Sequence, residues 1–191
     1  MRLFDREYRV PSAFKEVLGE RQSLGALLSI ALVAAVAAGF WATSPEFNTL
    51  QSHLSLWRVL VASALMLDIA AGTVANFTPG TNAFYAQRPA WRWGFIAIHI
   101  HLPLVGLLVG APLLPLIGIW AFTIAAASVV NLCYQRRWQP VLAGALLSIG
   151  ILITAQMPLP TWLMSLALLF MIKVLYAFAV NHYPQLEAGA T

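Results

Sequence analysis

Four side chains stand out as able to move protons in surroundings that do not tolerate idle charge: Asp68, His99, His101 and Lys173. Each lies in a stretch made otherwise of Leu, Ile, Val, Ala and Phe. An ionisable group in hydrocarbon costs about 2.5–3.5 kcal/mol even on lenient scales, so each should be paired or put to use. Asp68 suits a general acid or base in a desolvated setting, and the two imidazoles suit proton relay or charge stabilisation. Gly72 and Asn76 follow Asp68 at i+4 and i+8 on one helix face, with Thr73 at its border. Tyr176, Ala177 and Asn181 stand in the same relation to Lys173, and Ser128, Asn131 and Gln135 form a further helical stripe. Asn76, Asn131, Lys173 and Tyr176 are therefore candidates for orienting a substrate, and Arg88 and Arg92 for holding a polar head.

The two histidines pose a geometric problem. Two residues apart on a regular helix point about 200° away from each other, so both cannot face one cavity. Pro103 removes the difficulty, because its missing N–H leaves the His99 carbonyl without a helical partner and its ring kinks the chain. The segment from His99 to Pro103 is expected to be irregular, turning both imidazoles and a free carbonyl inward.

The elements carrying these residues follow from composition. Of 191 residues 60% are hydrophobic and 9% charged, with a mean hydropathy of +0.77. A soluble domain carries roughly a quarter charged residues. Apolar runs of about 20 residues match the hydrocarbon thickness, and lipid-exposed backbone must bond within a helix. The runs are continuous, unlike the alternating strands of a membrane barrel. Six spans are predicted: Ser23–Trp41, Trp57–Phe77, Arg92–Gly110, Pro112–Tyr134, Trp138–Gln156 and Pro160–Asn181. This is an all-α, polytopic six-helix bundle in one domain (23–182), with an N-terminal segment (1–22) and a short tail (183–191). In the N-terminal segment, Ser12 to Gly19 suggests one or two interfacial helical turns with Phe14, Val17 and Leu18 on one face. Its mixed charges are not those of a cleavable leader.

Orientation is read from basic residues. Arg2, Arg6, Arg9, Lys15 and Arg21 precede the first span, Arg88 and Arg92 follow the second, and Arg136 and Arg137 follow the fourth. The alternate connections (Ala42–Leu56, Gly110–Pro112, Met157–Leu159) have no Lys or Arg. Both termini are thus expected in the cytoplasm, in a multi-pass protein of a bacterial inner membrane, with Arg58 snorkelling from the outer end of span two. Trp41, Trp57, Trp93, Trp138 and Trp162 fall at span ends, as an interfacial belt would.

With that topology the ionisable groups converge. Asp68, His99, His101 and Lys173 all fall in the cytoplasmic half, whereas the outer halves offer only hydroxyls such as Ser63, Thr123, Thr154 and Ser165. A polar cavity between spans two, three, four and six is expected, open to the cytoplasm or laterally to the inner leaflet. Below it, Thr78-Pro79-Gly80-Thr81-Asn82 reads as a turn whose amides, with Arg88, Arg92, Arg136 and Arg137, could hold a phosphate or carboxylate. The plainer reading of those arginines is contact with anionic lipid.

Other classes are disfavoured. No basic face on a soluble element points to nucleic acid. Cys133 is the single cysteine, so no disulfide framework or Cys-based metal site is possible. Phosphate-loop, His-Glu-x-x-His and Gly-x-Ser-x-Gly motifs are missing. His-x-His with a distant Asp is non-specific for a metal, and bis-histidine haem would need His182 opposed to His99 or His101. No metal or cofactor is assigned. Ala31/Ala35 and Ala34/Ala38 give small-residue spacings that allow close helix approach. Together with length and helix number they resemble the substrate-binding subunits of modular vitamin importers, a likeness of size and architecture. That family takes its ligand from outside, whereas the ionisable residues here lie inward.

Three functions remain. The favoured one is an intramembrane enzyme performing acid–base chemistry on a hydrophobic or lipid-like substrate, with Asp68, His99 and His101 as its catalytic groups. A proton-coupled transporter or channel would use the same groups as a relay, and a non-catalytic subunit would use them to join helices. Transport of a polar solute needs polar groups along both halves of a route, and the outer halves are nearly bare. The expected partners are membrane lipid and an amphiphilic small molecule.

Overall fold

The computed structural model describes residues 3–184, so most of the tail 183–191 lies outside the described residues. A short ribbon of β1 (Glu7–Arg9) and β2 (Arg21–Ser23) brackets α1 (Lys15–Leu18). Then follow α2 (Leu24–Ala42), α3 (Pro45–Ser52), α4 (Leu56–Ala75), α5 (Pro79–Ala86), α6 (Pro89–Ile98), α7 (His101–Val109), α8 (Leu113–Leu132), α9 (Gln139–Ala155) and α10 (Thr161–Met171). The last continues as a π-helix over Ile172–Phe178.

Five helical rods are long and apolar enough to cross a membrane: Leu24–Ala42, Leu56–Ala75, Pro89–Val109, Leu113–Leu132 and Thr161–Phe178. The helix matching the predicted fifth span, Gln139–Ala155, is apolar but has 17 residues. The chain is a multi-pass integral membrane protein built as a helical bundle.

Helix ends follow local chemistry. Ser23 caps α2 by accepting from Ala26 N at 3.1 Å, and α7 stops at Gly110 in the left-handed region (φ 74°). Ser44 and Thr78 cap α3 and α5, each followed by Pro at the first helical position, where its missing N–H costs nothing. The predicted turn after Thr78 is therefore a helix. Its cap hydroxyl accepts from Thr81 N at 3.4 Å, so one of the amides read as part of a turn is taken up within the helix start. The connection between the first two spans likewise contains a helix, α3. The N-terminal helical turns are present over Ser12–Leu18, but the antiparallel ribbon pairing Tyr8 with Gln22 was not anticipated and adds a small β element to the all-α bundle.

α4 is the central rod, packed on α2, α7, α10 and the π segment. Met66, Ile69, Leu102, Leu116, Leu163, Leu166, Phe170 and Met171 form the enclosed core. α2 turns Leu28, Leu32, Val36 and Phe40 outward, as a lipid-facing helix does. The end carrying α1, the ribbon, α5 and the Arg136–Arg137 turn is called the basic end below.

Candidate functional site

The break between α6 and α7 brings the histidines together. His99 leaves the helical region (φ −78°, ψ 66°), and Ile100 N bonds back to Ile98 O at 2.8 Å. α7 restarts at His101, so Pro103 falls within its first turn, where N–H groups lack helical acceptors anyway. The two imidazole centroids end up 5.0 Å apart. The His99 carbonyl is not free, as had been expected: Trp120 Nε1 of α8 donates to it at 2.9 Å. That indole stabilises the break, since a buried unpaired carbonyl would cost about 1–3 kcal/mol.

Asp68 gathers two partners on one oxygen. Lys173 Nζ is 2.6 Å from Asp68 Oδ2, and His101 Nδ1 is 2.9 Å from the same atom, the latter a close contact without an aligned hydrogen bond. Lys173 reaches across α4 only because residue 72 is glycine: a Cβ there would lie 2.5 Å from Lys173 Cε. α10 is docked on α4 by Thr73 Oγ1, which donates to Leu169 O at 3.2 Å, and the π segment bearing Lys173 by Asn76 Nδ2, which donates to Lys173 O at 3.3 Å. Such wide turns often accompany functional sites.

His99 stands deeper. Its ring stacks on Phe95 at 3.8 Å, and Phe95 stacks on Phe178 at 3.6 Å. Its Nδ1 lies 2.5 Å from Phe95 O. A carbonyl only accepts, so Nδ1 carries the proton, and in the neutral ring Nε2 keeps a lone pair.

Asp68, Gly72, Asn76, His99, His101 and Lys173 line one cavity of about 140 Å³, with Phe95 and Ile98 on the α6 side and Glu16, Val17 and Tyr85 at the basic end. Its walls are graded. The Lys173 side chain is 3% exposed, His101 23% and Asp68 36%, while Ile98 beside them is 65% exposed. The cavity is thus most exposed at its Asp68 and Ile98 edge, between α4 and α6. Tyr85, outside the spans, has its phenol pushed up to about 12 by burial and by the Glu16 charge, so it stays neutral and donates to Glu16 O at 2.8 Å.

The other sequence candidates lie elsewhere. Arg92 is buried; its Nε donates to Asn131 Oδ1 at 2.8 Å, a terminal nitrogen donates to Ala179 O at 2.9 Å, and the guanidinium lies 4.1 Å from the Tyr134 ring centroid. Arg92 and Asn131 thus bind α6, α8 and the end of α10 to one another and do not line the cavity. Arg88 donates to Phe84 O at 2.7 Å and pairs with Glu20 at 3.4 Å, also away from the cavity. Tyr176 packs near Phe77 and His182. Arg58 donates to Leu107 O at 3.1 Å.

Two roles escaped sequence reading. Gln139 is 1% exposed and joins Val130 O, Ala179 O and Asn181 N; nothing in a Trp-Gln-Pro sequence announces this. Gly72 was noted for its spacing from Asp68, but its need to be small depends on Lys173, 101 residues later. Among the described residues no group of three or more His, Cys, Asp or Glu has metal-holding geometry.

Comparison with protein-family models, curated proteins and solved structures finds no match to the chain. The importer-subunit resemblance accordingly stays one of size and helix number. The class defined by fold and composition is a multi-pass membrane helical bundle, and what it does must be argued from the cavity.

Proposed function

We propose that the chain is an intramembrane enzyme that performs acid–base chemistry on an amphiphilic substrate drawn from the bilayer. The observation that carries this reading is the convergence of Asp68, Lys173, His101 and His99 on one cavity with Asp68 at its exposed edge; in the proposal that edge meets the hydrocarbon. Asp68, at that edge, is the group to exchange a proton with substrate. Lys173 orients the carboxylate through Oδ2. His101 and His99 stabilise charge or pass the proton onward, His99 through its Nε2 lone pair. Asn76 positions Lys173 by way of the backbone.

Six crossings with the basic end in the cytoplasm complete the proposal, putting the cavity in the inner-leaflet half. In a Cys133→Ala background, Arg88→Cys should react only with reagent inside the cell, and Thr49→Cys only with reagent outside. Labelling of residue 88 from outside would overturn the orientation.

Transport is less favoured for a specific reason. Towards the other end, Met66 near Asp68 on α4 is packed in the core at 1% exposure. The cavity at that end, lined by Trp41, Asn48, Gln51 and Ser63, shares no residue with the Asp68 cavity.

The functional test is to reconstitute the protein in vesicles of total membrane lipid extract and follow the lipid species by mass spectrometry. At least one species should change with the wild type and not with Asp68→Asn. Identical lipid profiles for protein-containing and empty vesicles would contradict the enzyme reading.

A further inference from the structure

We infer that the ligand of this cavity is a single-chain amphiphile with a small, uncharged oxygen head, a long-chain alcohol or carbonyl compound, which enters sideways between α4 and α6. The inference rests on reading the cavity as a substrate site and specifies what that substrate is.

The basic end of the cavity is roofed. Glu16 and Val17 of α1 line it from above, and the roof is locked at several points. Tyr85 donates to Glu16 O at 2.8 Å, Thr81 Oγ1 to Val17 O at 3.3 Å, and the buried Gln22 Nε2 to Thr78 Oγ1 at 2.6 Å. Gly19 (φ 71°) and Gly80 meet backbone to backbone: a Cβ on Gly19 would overlap Gly80 O, and one on Gly80 would overlap Arg21 O. A bulky head at the membrane surface therefore cannot descend into the cavity from that end. The way left open is past Asp68 and Ile98, below the interface, where a head must give up its water before it arrives.

Charge narrows the head further. Lys173 is committed to Asp68, Arg92 to Asn131 and Ala179, and Arg88 to Glu20 and Phe84. A phosphate or carboxylate would sit beside the Asp68 carboxylate with every nearby cation already engaged, which desolvation makes unfavourable. A hydroxyl can instead donate to Asp68 or to His99 Nε2, and a carbonyl can accept from His101. Phe95, Ile98 and Val17 give the rim an apolar surface for the first part of a chain.

The test uses the full chain in nanodiscs with a long-chain fatty alcohol carrying a diazirine beside its hydroxyl, and locates crosslinks by peptide mass spectrometry. Crosslinks should fall on the Val17 and Ile98 peptides, be competed by unlabelled fatty alcohol, and exceed by at least roughly tenfold those of a phosphatidylglycerol probe labelled in its head. Gly80→Ala, which unseats the roof, should raise phosphatidylglycerol labelling and leave the alcohol labelling in place. Equal labelling of the wild type by the phosphatidylglycerol probe, or by the matching fatty acid, would overturn the inference. So would alcohol crosslinks confined to the lipid-facing surface of α2 and α9. Labelling of the expected pattern in a protein that converts no lipid would remove the acid–base reading and leave the ligand assignment standing.

Discussion

Arg92 and Asp68 are both charged side chains among apolar helices, yet they have opposite surroundings. Arg92 is enclosed: its nitrogens meet Asn131, Phe178 and Ala179, its face meets Tyr134, and Gln139 takes up neighbouring carbonyls. Asp68 is held by Lys173 and His101 through one oxygen, and its side chain stays 36% exposed. A closed network with its polar atoms paired joins helices. A network with one open edge costs stability unless something uses that edge. The difference between the two clusters is the physical basis for assigning one to scaffold and the other to chemistry.

Several substitutions would break or sharpen that contrast. The largest loss of stability should come from Arg92→Ala, which strands the Asn131 amide oxygen and the Phe178 carbonyl and leaves Ala179 O only its Gln139 donor; about 3 kcal/mol or more is expected in detergent unfolding. A loss below about 1 kcal/mol would show that the enclosed cluster is not scaffold.

Asp68→Asn comes next. It leaves the Lys173 ammonium, 3% exposed, without its counter-charge. Breaking a buried pair costs about 3–5 kcal/mol, and the opening at Asp68 should bring the loss to the lower part of that range or beneath it. Lys173→Met should cost less than Asp68→Asn, because the carboxylate it leaves is the more open partner. The reverse order would mean that Asp68 is the enclosed member.

Gly72→Ala should be smaller again, about 1–3 kcal/mol from overpacking, yet it should remove lipid conversion by pushing Lys173 off Asp68. Unchanged conversion would dispense with the Lys173 contact. Trp120→Phe removes the donor to the His99 carbonyl, about 1–3 kcal/mol; a larger effect would mean that the helix break depends on that one bond.

The smallest effect is on pH dependence. His182, beyond the last span and near Arg92, has its pKa lowered from 6.5 by burial and then by the Arg92 charge, partly offset by backbone hydrogen bonds. The unfolded chain therefore binds a proton that the folded chain resists, and stability from this group falls as pH drops below about 6.5. His182→Gln should flatten the fall in unfolding midpoint between pH 7 and pH 5. An unaltered profile would assign the acid sensitivity to another group.

Much of this architecture is legible in the sequence because the bilayer imposes it. Apolar run lengths locate the long helices to within a few residues, and the cost of charge in hydrocarbon singles out Asp68, His99, His101 and Lys173. Pro103 marks the irregular third rod, although the break begins upstream of it. What is not legible is pairing at a distance. Arg92 and Asn131 look like ligands for a head, and only the packing of α6 on α8 turns them into a clamp. The Thr78–Pro79 pair carries the signature of a capped helix start, and reading it as a turn missed α5 and the surface on which α1 rests. The ribbon of β1 and β2 has too few residues for a periodic pattern to reveal it.

The most direct test of the central claim is the double substitution Asp68→Asn/Lys173→Met, measured for unfolding and for lipid conversion together. Replacing both partners removes the stranded charge, and substituted buried pairs are often as stable as the originals. The account predicts a midpoint recovered to near the wild type and no conversion. A double variant that recovers its stability and converts lipid like the wild type would contradict it, because the cluster would then be a tie between α4 and α10 and nothing more.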